Sequence, residues 1–284
     1  MSVTISSNSE LFKTFDDIKL FEQSFVPEED PKGVIVILHG LTEHSGCYTK
    51  VSKIIASHNY AVSLLDLRGH GKSDGPLVFI DSFDEYLDDL SVFFGIVKKR
   101  FPQKPVFLLG QGMGGLISVL FIMEKKPETR GLILSAPALS VREAMPWFLR
   151  KIFWFFGMLF PRWPFVKISH HSLSKDLKIL QDFDKDPLVY HGKIYARTWL
   201  ELIRASKEVR ERCSEIETPV LILNSREDQM TGFEASQDMY AKIGSIDKTL
   251  KIYEGLSHLL LLETEGKRVV KDIIQWTDSR VRTS

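Results

Sequence analysis

Residues 106–115 read Val106-Phe107-Leu108-Leu109-Gly110-Gln111-Gly112-Met113-Gly114-Gly115. Four apolar residues fit a buried strand, and the glycine cluster after them opens an apolar helix over 113–125. Two motifs compete for this strand–turn–helix. From Gly110 the six residues spell G-x-G-x-x-G, the phosphate-cradling turn of dinucleotide-binding folds. They also match G-x-S-x-G, the sharp turn that exposes a nucleophile above an α/β sheet, with Gly112 where serine should stand.

The dinucleotide reading fails on context. It needs an acid about 20 residues further on, at the end of the next strand, to hold a ribose. The next apolar run, 131–134, closes on Ser135-Ala136-Pro137 with no carboxylate. The nucleophile-turn reading gains from what lies on either side of it.

With 284 residues, 44% of them hydrophobic, the chain can build one α/β domain with an insertion or two small domains. Lys plus Arg and Asp plus Glu are equal at 37 each, so no global field recruits nucleic acid, and no nucleic-acid partner is expected. Cys47 and Cys213 match no metal or redox spacing. A reducing, cytoplasmic setting with no metal is the expectation. The first ten residues are polar, which argues against a signal peptide. The longest apolar stretch, 152–160, falls well short of the roughly 20 residues of a membrane-spanning helix.

Around the central turn, strand and helix patterns alternate. Residues 12–26 read as strands preceding the main sheet, and 34–38 and 61–65 read as strands buried on both faces. Helical spacing covers 48–57 and 83–100, the latter acidic at its start and basic at its end, as the helix dipole favours. The alternation stops at Pro137 and resumes after Thr218 with a strand over 220–223, a helix over 232–243, a strand over 249–253 and a helix over 264–276. Such alternation implies a doubly wound, mostly parallel sheet. The interruption is too long for a loop and too short for a separate domain. It reads as a cap over the carboxyl ends of the strands, where such sheets bind ligands.

Asp228 follows the strand over 220–223 and His258 follows the strand over 249–253. Turn, acid and histidine thus come in the chain order of a hydrolase triad, in which the histidine is the base and the carboxylate orients it. Glu227 is the alternative acid, one residue earlier. The His39-Gly40-Leu41 turn after the strand over 34–38 offers the Leu41 N–H. The Met113 N–H offers a second donor for a developing oxyanion.

The chain resembles the monoacylglycerol lipases, grouped with related lysophospholipases among the α/β hydrolases. The resemblance is carried by His39-Gly40-Leu41-Thr42-Glu43-His44-Ser45-Gly46, Asp66-Leu67-Arg68-Gly69-His70-Gly71-Lys72-Ser73, Gly110–Gly115, Ser135-Ala136-Pro137, Asp186-Pro187-Leu188 and the run from Asp247 to Gly255 with His258 behind it. It implies an α/β-hydrolase core over 1–136 and 219–284 with a helical cap inserted over 137–218. It also implies a triad of the residue at 112, Asp228 and His258, with Leu41 and Met113 as oxyanion donors and Gly110 and Gly114 shaping the turn. The ligand would be a lipid ester with one acyl chain, a monoacylglycerol or lysolipid, and no cofactor would be used. Three positions depart from the family pattern: Gly112 replaces the nucleophilic serine, Gln111 the commoner histidine, and Cys47 an arginine near the polar end of the substrate.

Two questions stay open at this level. Gly112 fits a natural loss that leaves a lipid- or partner-binding protein, an introduced substitution in an active esterase, or residual hydrolysis by water that His258 activates. Within the cap, Trp147, Phe148, Phe153, Trp154, Phe155 and Phe156 stand among Arg150, Lys151 and Arg162. That pattern fits either peripheral membrane docking or a lid packed over an acyl tunnel. The oligomeric state is not legible.

Overall fold

The computed structural model describes residues 4–140, 157 and 159–281. Its strands are β1 Ile5–Lys13, β2 Lys19–Pro27, β3 Val34–Leu38, β4 Ala61–Leu65, β5 Val106–Gln111, β6 Gly131–Ser135, β7 Pro164–Lys167, β8 Lys193–Tyr195, β9 Val220–Ser225 and β10 Lys248–Tyr253. The helices are α1 Thr49–Ala56, α2 Asp84–Arg100, α3 Met113–Lys125, α4 Leu177–Lys185, α5 Ala196–Arg212, α6 Phe233–Lys242 and α7 Lys267–Val281.

Eight strands make one sheet in the order β1-β2-β4-β3-β5-β6-β9-β10. From β4 to β10 all neighbours are parallel, while β2 runs antiparallel to both β1 and β4. Every residue of β3, β4, β5 and β6 is buried, as continuous apolar runs require when helices cover both faces. On one face α2 and α3 bring Phe93, Phe94, Leu116 and Phe121 into the core. On the other, α1 and α7 contribute Ile55, Val269, Ile273 and Trp276. Eleven of the 13 residues of α3 are buried, which is why its pattern is apolar all round rather than striped. This is the doubly wound, mostly parallel sheet of the α/β-hydrolase fold.

The polar N-terminal stretch differs from expectation. It does not precede the sheet but forms its edge, β1 pairing with β2 from Ile5↔Pro27 to Lys13↔Lys19. An exposed edge strand needs a backbone ladder and polar side chains rather than an apolar run, so hydropathy shows little of it.

Strand β3 pairs with β4 on one side and β5 on the other. The chain therefore winds outward in both directions from this point, and a crevice opens beyond the carboxyl ends of β3 and β5. Strands β6 and β9 are sheet neighbours, and the described chain between them lies outside this sheet. Its described part is not helical alone: besides α4 and α5 it holds an antiparallel ribbon of β7 and β8. Helix α5 packs its Leu202, Ala205 and Val209 into the same core as α3. Trp147, Phe148, Phe153, Trp154, Phe155 and Phe156 lie outside the described residues. Among the described residues, no helix is long and apolar enough to cross a membrane.

Candidate active site

Gly112 sits between β5 and α3 at φ +53° and ψ −113°, a positive-φ backbone state that glycine enters freely. Its peptide groups are pinned: the N–H donates to the Ser135 carbonyl at 3.0 Å, and its own carbonyl accepts from Leu116 and Ala138 at 3.2 and 3.0 Å. The flanking glycines answer a steric demand. A Cβ on Gly110 would lie 2.3 Å from the Gly114 carbonyl oxygen, and one on Gly114 would lie 2.4 Å from the Leu38 carbonyl oxygen. Strand and helix thus approach so closely that only hydrogen fits at either position.

A Cβ on Gly112 would point at His258, 3.2 Å from its Nε2. That contact is tight, and the ring would retreat by a few tenths of an ångström to admit a side chain. The far side of the ring is fixed, with His258 Nδ1 3.0 Å from Asp228 Oδ2. Asp228 is itself held by the Met230 and Thr231 N–H groups on Oδ1 at 2.8 and 3.1 Å, and by the Thr231 hydroxyl on Oδ2 at 2.6 Å. Its oxygens are thereby aimed, and the ring's Nε2 is left facing the turn.

Glu227, the rival acid, turns elsewhere. It accepts from the Ser225 hydroxyl at 3.0 Å and from the Gly255 N–H at 3.1 Å, tying two loops together. The structure brings Gly112, Asp228 and His258 into one line and leaves Glu227 out of it.

Burial alone would raise the Asp228 carboxyl, but the charge and hydrogen bond of His258 and the Thr231 donors outweigh it and hold the pKa at about 2. For His258, burial works downward, yet the Asp228 carboxylate, with Glu43 further off, drives its pKa above the ordinary value. The Asp228 contribution has a definite sign. A carboxyl whose folded pKa lies below its unfolded one stabilises the fold above the unfolded pKa, and that stability is lost as pH falls through the folded value. Asp228→Asn is therefore expected to lower the melting temperature near about pH 6, by a gap worth on the order of 2 kcal/mol that narrows from about pH 4 towards pH 2. Calorimetry that finds the same gap at both ends of this range would contradict the assignment.

The loop after β3 is built around two buried histidines. His39 Nδ1 donates to the Gly40 carbonyl at 2.8 Å, and Nε2 accepts from the Leu67 N–H at 3.0 Å. That tautomer fits a pKa that burial first, and His70 second, push well down. The Gly40 carbonyl also accepts from Glu43 N at 3.3 Å. Because the peptide is planar and trans, fixing this carbonyl turns the Leu41 N–H to the opposite side. The next carbonyl, that of Leu41, is held by His70 Nε2 at 2.6 Å. Asp66 clamps the two motif loops, accepting from Ser45 N at 2.6 Å and Lys72 N at 2.8 Å. These histidines and Asp66 build the loop rather than react.

Leu41, Met113, Gly112 and His258 line a cavity of about 180 Å³ whose further wall is apolar, with Leu173, Trp199 and Met230. Cys47 is not a substitute nucleophile: burial, then the Glu43 carboxylate, push its thiol well above the ordinary range. It packs instead beside Leu173, Phe183 and Val189.

Two residues here had no role in the sequence reading. Gln111 Nε2 donates to the His258 carbonyl at 3.0 Å, so the residue before the turn anchors the histidine loop. Glu43, buried in the β3 loop, accepts from the Tyr48 hydroxyl and adds a second negative group near His258. An acid inside the apolar-flanked His39–Gly46 motif was the available signal for Glu43. Gln111 left none, since its partner is a backbone atom 147 positions away.

Over residues 29–265 the chain matches the hydrolase family described as serine aminopeptidase, S33. It is 29% identical over 281 residues to a monoacylglycerol lipase of Mycolicibacterium smegmatis, covering 99% of this chain and 100% of that protein. It is 33% identical over 289 residues to a caffeoylshikimate esterase of Arabidopsis thaliana, covering 97% and 86%. The structure of a soluble variant of the Saccharomyces cerevisiae monoglyceride lipase, in complex with a substrate analogue, superposes with a TM-score of 0.87 at 21% identity, over 99% of this chain and 97% of that one.

Proposed function

Because the chain belongs to the serine aminopeptidase S33 family of hydrolases and is monoacylglycerol lipase-like, we propose that its cavity takes a lipid ester with one acyl chain and that it cleaves this ester very slowly. In this reading His258 is the general base, Asp228 orients it, and the Leu41 and Met113 N–H groups receive the developing oxyanion. Position 112 is where the nucleophile would stand. The observation that carries the reading is the Gly112 Cα–Cβ direction, which meets His258 Nε2 at 3.2 Å while Asp228 holds the other ring nitrogen. Without a hydroxyl there, no acyl-enzyme forms, and the remaining donors and binding contacts supply only a residual rate.

Loss of a triad nucleophile typically costs on the order of 10⁶ in turnover. The expected result is that a non-hydrolysable ether analogue of a monoacylglycerol binds, while p-nitrophenyl ester turnover stays at that deficit against a serine-bearing relative. Turnover within about tenfold of such a relative would overturn the reading.

Residues 137–218 are read as the cap, meeting membranes through an apolar face. Support comes from Leu159, Phe160 and Trp163, exposed by 57, 54 and 55% around Arg162, next to the aromatic run of the sequence. Phe160→Asp with Trp163→Ala is expected to weaken vesicle partitioning by roughly tenfold or more, since each large apolar side chain contributes about 1.5–3 kcal/mol on burial. Co-sedimentation unchanged by the pair would favour a lid that only packs.

A further inference from the structure

The insertion carries a cluster of side chains that ester cleavage leaves unused. His170 stands in a short turn, Asp184 near the end of α4 and His191 in the loop before β8; each offers one ligand atom, and the three atoms lie within 4.8 Å of one another. His170 Nδ1 is 3.1 Å from Asp184 Oδ1, and the rings of His170 and His191 are 4.9 Å apart between centroids. They edge a cavity of about 370 Å³ with Ile168 and Leu180 at its back. From this arrangement we propose a binding site for a divalent transition-metal ion of the zinc class, held by His170, Asp184 and His191.

The geometry suits such an ion. With bonds of about 2.0–2.2 Å, tetrahedral ligand atoms lie about 3.3–3.6 Å apart. His170 and Asp184 already stand close to that spacing, and the third atom needs to move by about 1 Å, within reach of an exposed side chain. Two imidazoles with one carboxylate favour zinc, nickel or copper over calcium and magnesium, which prefer all-oxygen sets. His191 has a second-layer partner, its Nε2 lying 3.4 Å from the Asp186 carbonyl, the kind of contact that orients a ligating ring. Lys167 borders the same cavity, and its long stem lets its charge swing into solvent.

The site would join a short turn, the end of α4 and the loop before β8, which follow one another in the insertion at separations of 14 and 7 residues. The last two of them also grip the loop beside the candidate active site: Asp186 Oδ2 lies 3.0 Å from His44 Nε2, and the Tyr190 N–H donates to the Thr42 carbonyl at 3.0 Å. A bound ion would therefore brace the insertion against the loop that carries Leu41 and Glu43.

The test uses the full chain, stripped with chelator and titrated with zinc chloride in a calorimeter. One ion per chain is expected, with a melting temperature that rises with zinc concentration, as binding to the folded state alone requires. His170→Ala and His191→Ala should each weaken binding by more than about tenfold, Asp184→Asn should weaken it less, and His58→Ala, at an exposed histidine elsewhere, should change nothing. The unsubstituted chain with cobalt(II) should show the visible bands of a four-coordinate nitrogen and oxygen site, a readout that needs no variant to fold. The proposal is overturned if the chain takes up no zinc at about 100 μM, or if the His170→Ala, His191→Ala double variant binds zinc as tightly as the parent.

Discussion

If the proposed function holds, Gly112→Ser is expected to yield a serine hydrolase, with monoacylglycerol turnover rising by on the order of 10⁶ over the parent. A serine hydroxyl is a poor nucleophile until a positioned base takes its proton. Here the base is in place, since His258 Nε2 faces the position and Asp228 Oδ2 holds Nδ1 at 3.0 Å. Two costs act against the gain. At φ +53° a residue with a Cβ is strained, by about 1–3 kcal/mol for such a backbone state. The substitution also stiffens the unfolded chain, which returns about 0.4–1 kcal/mol. The His258 ring must also give way slightly, because a Cβ would sit 3.2 Å from its Nε2. The restored protein should therefore be a little less stable than the parent while far more active. Stopped assays with a monoacylglycerol check this, and a well-folded Gly112→Ser protein with parental turnover would refute it.

In that restored background, Asp228→Ala should remove about 10⁴ of the turnover, whereas Glu227→Ala should cost only a few-fold. The difference follows from which atoms each acid holds. Asp228 keeps the proton on His258 Nδ1, leaving Nε2 free to accept one from the serine, and then steadies the imidazolium. Glu227 bonds the Ser225 hydroxyl and the Gly255 N–H and does not reach the ring. Steady-state kinetics of the two double variants should separate them by three or more orders of magnitude. Equal losses would mean that the loop rather than the acid matters.

Much of the fold was legible because its central strands are extreme. Val34–Leu38 and Val106–Gln111 are buried on both faces, so their composition had no polar side to confuse the pattern. Gly110 and Gly114 marked the turn because no other residue fits between strand and helix. Strand β1 was obscure for the opposite reason: Ile5–Lys13 is mostly exposed and owes its place to pairing with β2. The β7–β8 ribbon was missed because four- and three-residue strands carry too few positions for a period to show.

The meeting of Asp228 and His258 was legible from chain order and strand ends. The sequence favoured Asp228 over Glu227, and the coordinates show why: the two adjacent loop residues diverge by backbone geometry that spacing does not encode. The contact of Gln111 with the His258 carbonyl arises only when distant segments meet, and that of His170 with Asp184 and His191 only when a turn, a helix end and a loop fold back on one another. No local pattern announces them.

The most direct test of the claim that the site lacks only its hydroxyl is intact-mass measurement after treatment with a fluorophosphonate. The account predicts a single covalent adduct on the Gly112→Ser protein, none on the parent, and none once His258→Ala is added. A folded Gly112→Ser protein that gains no adduct, or a parent that gains one, would contradict it.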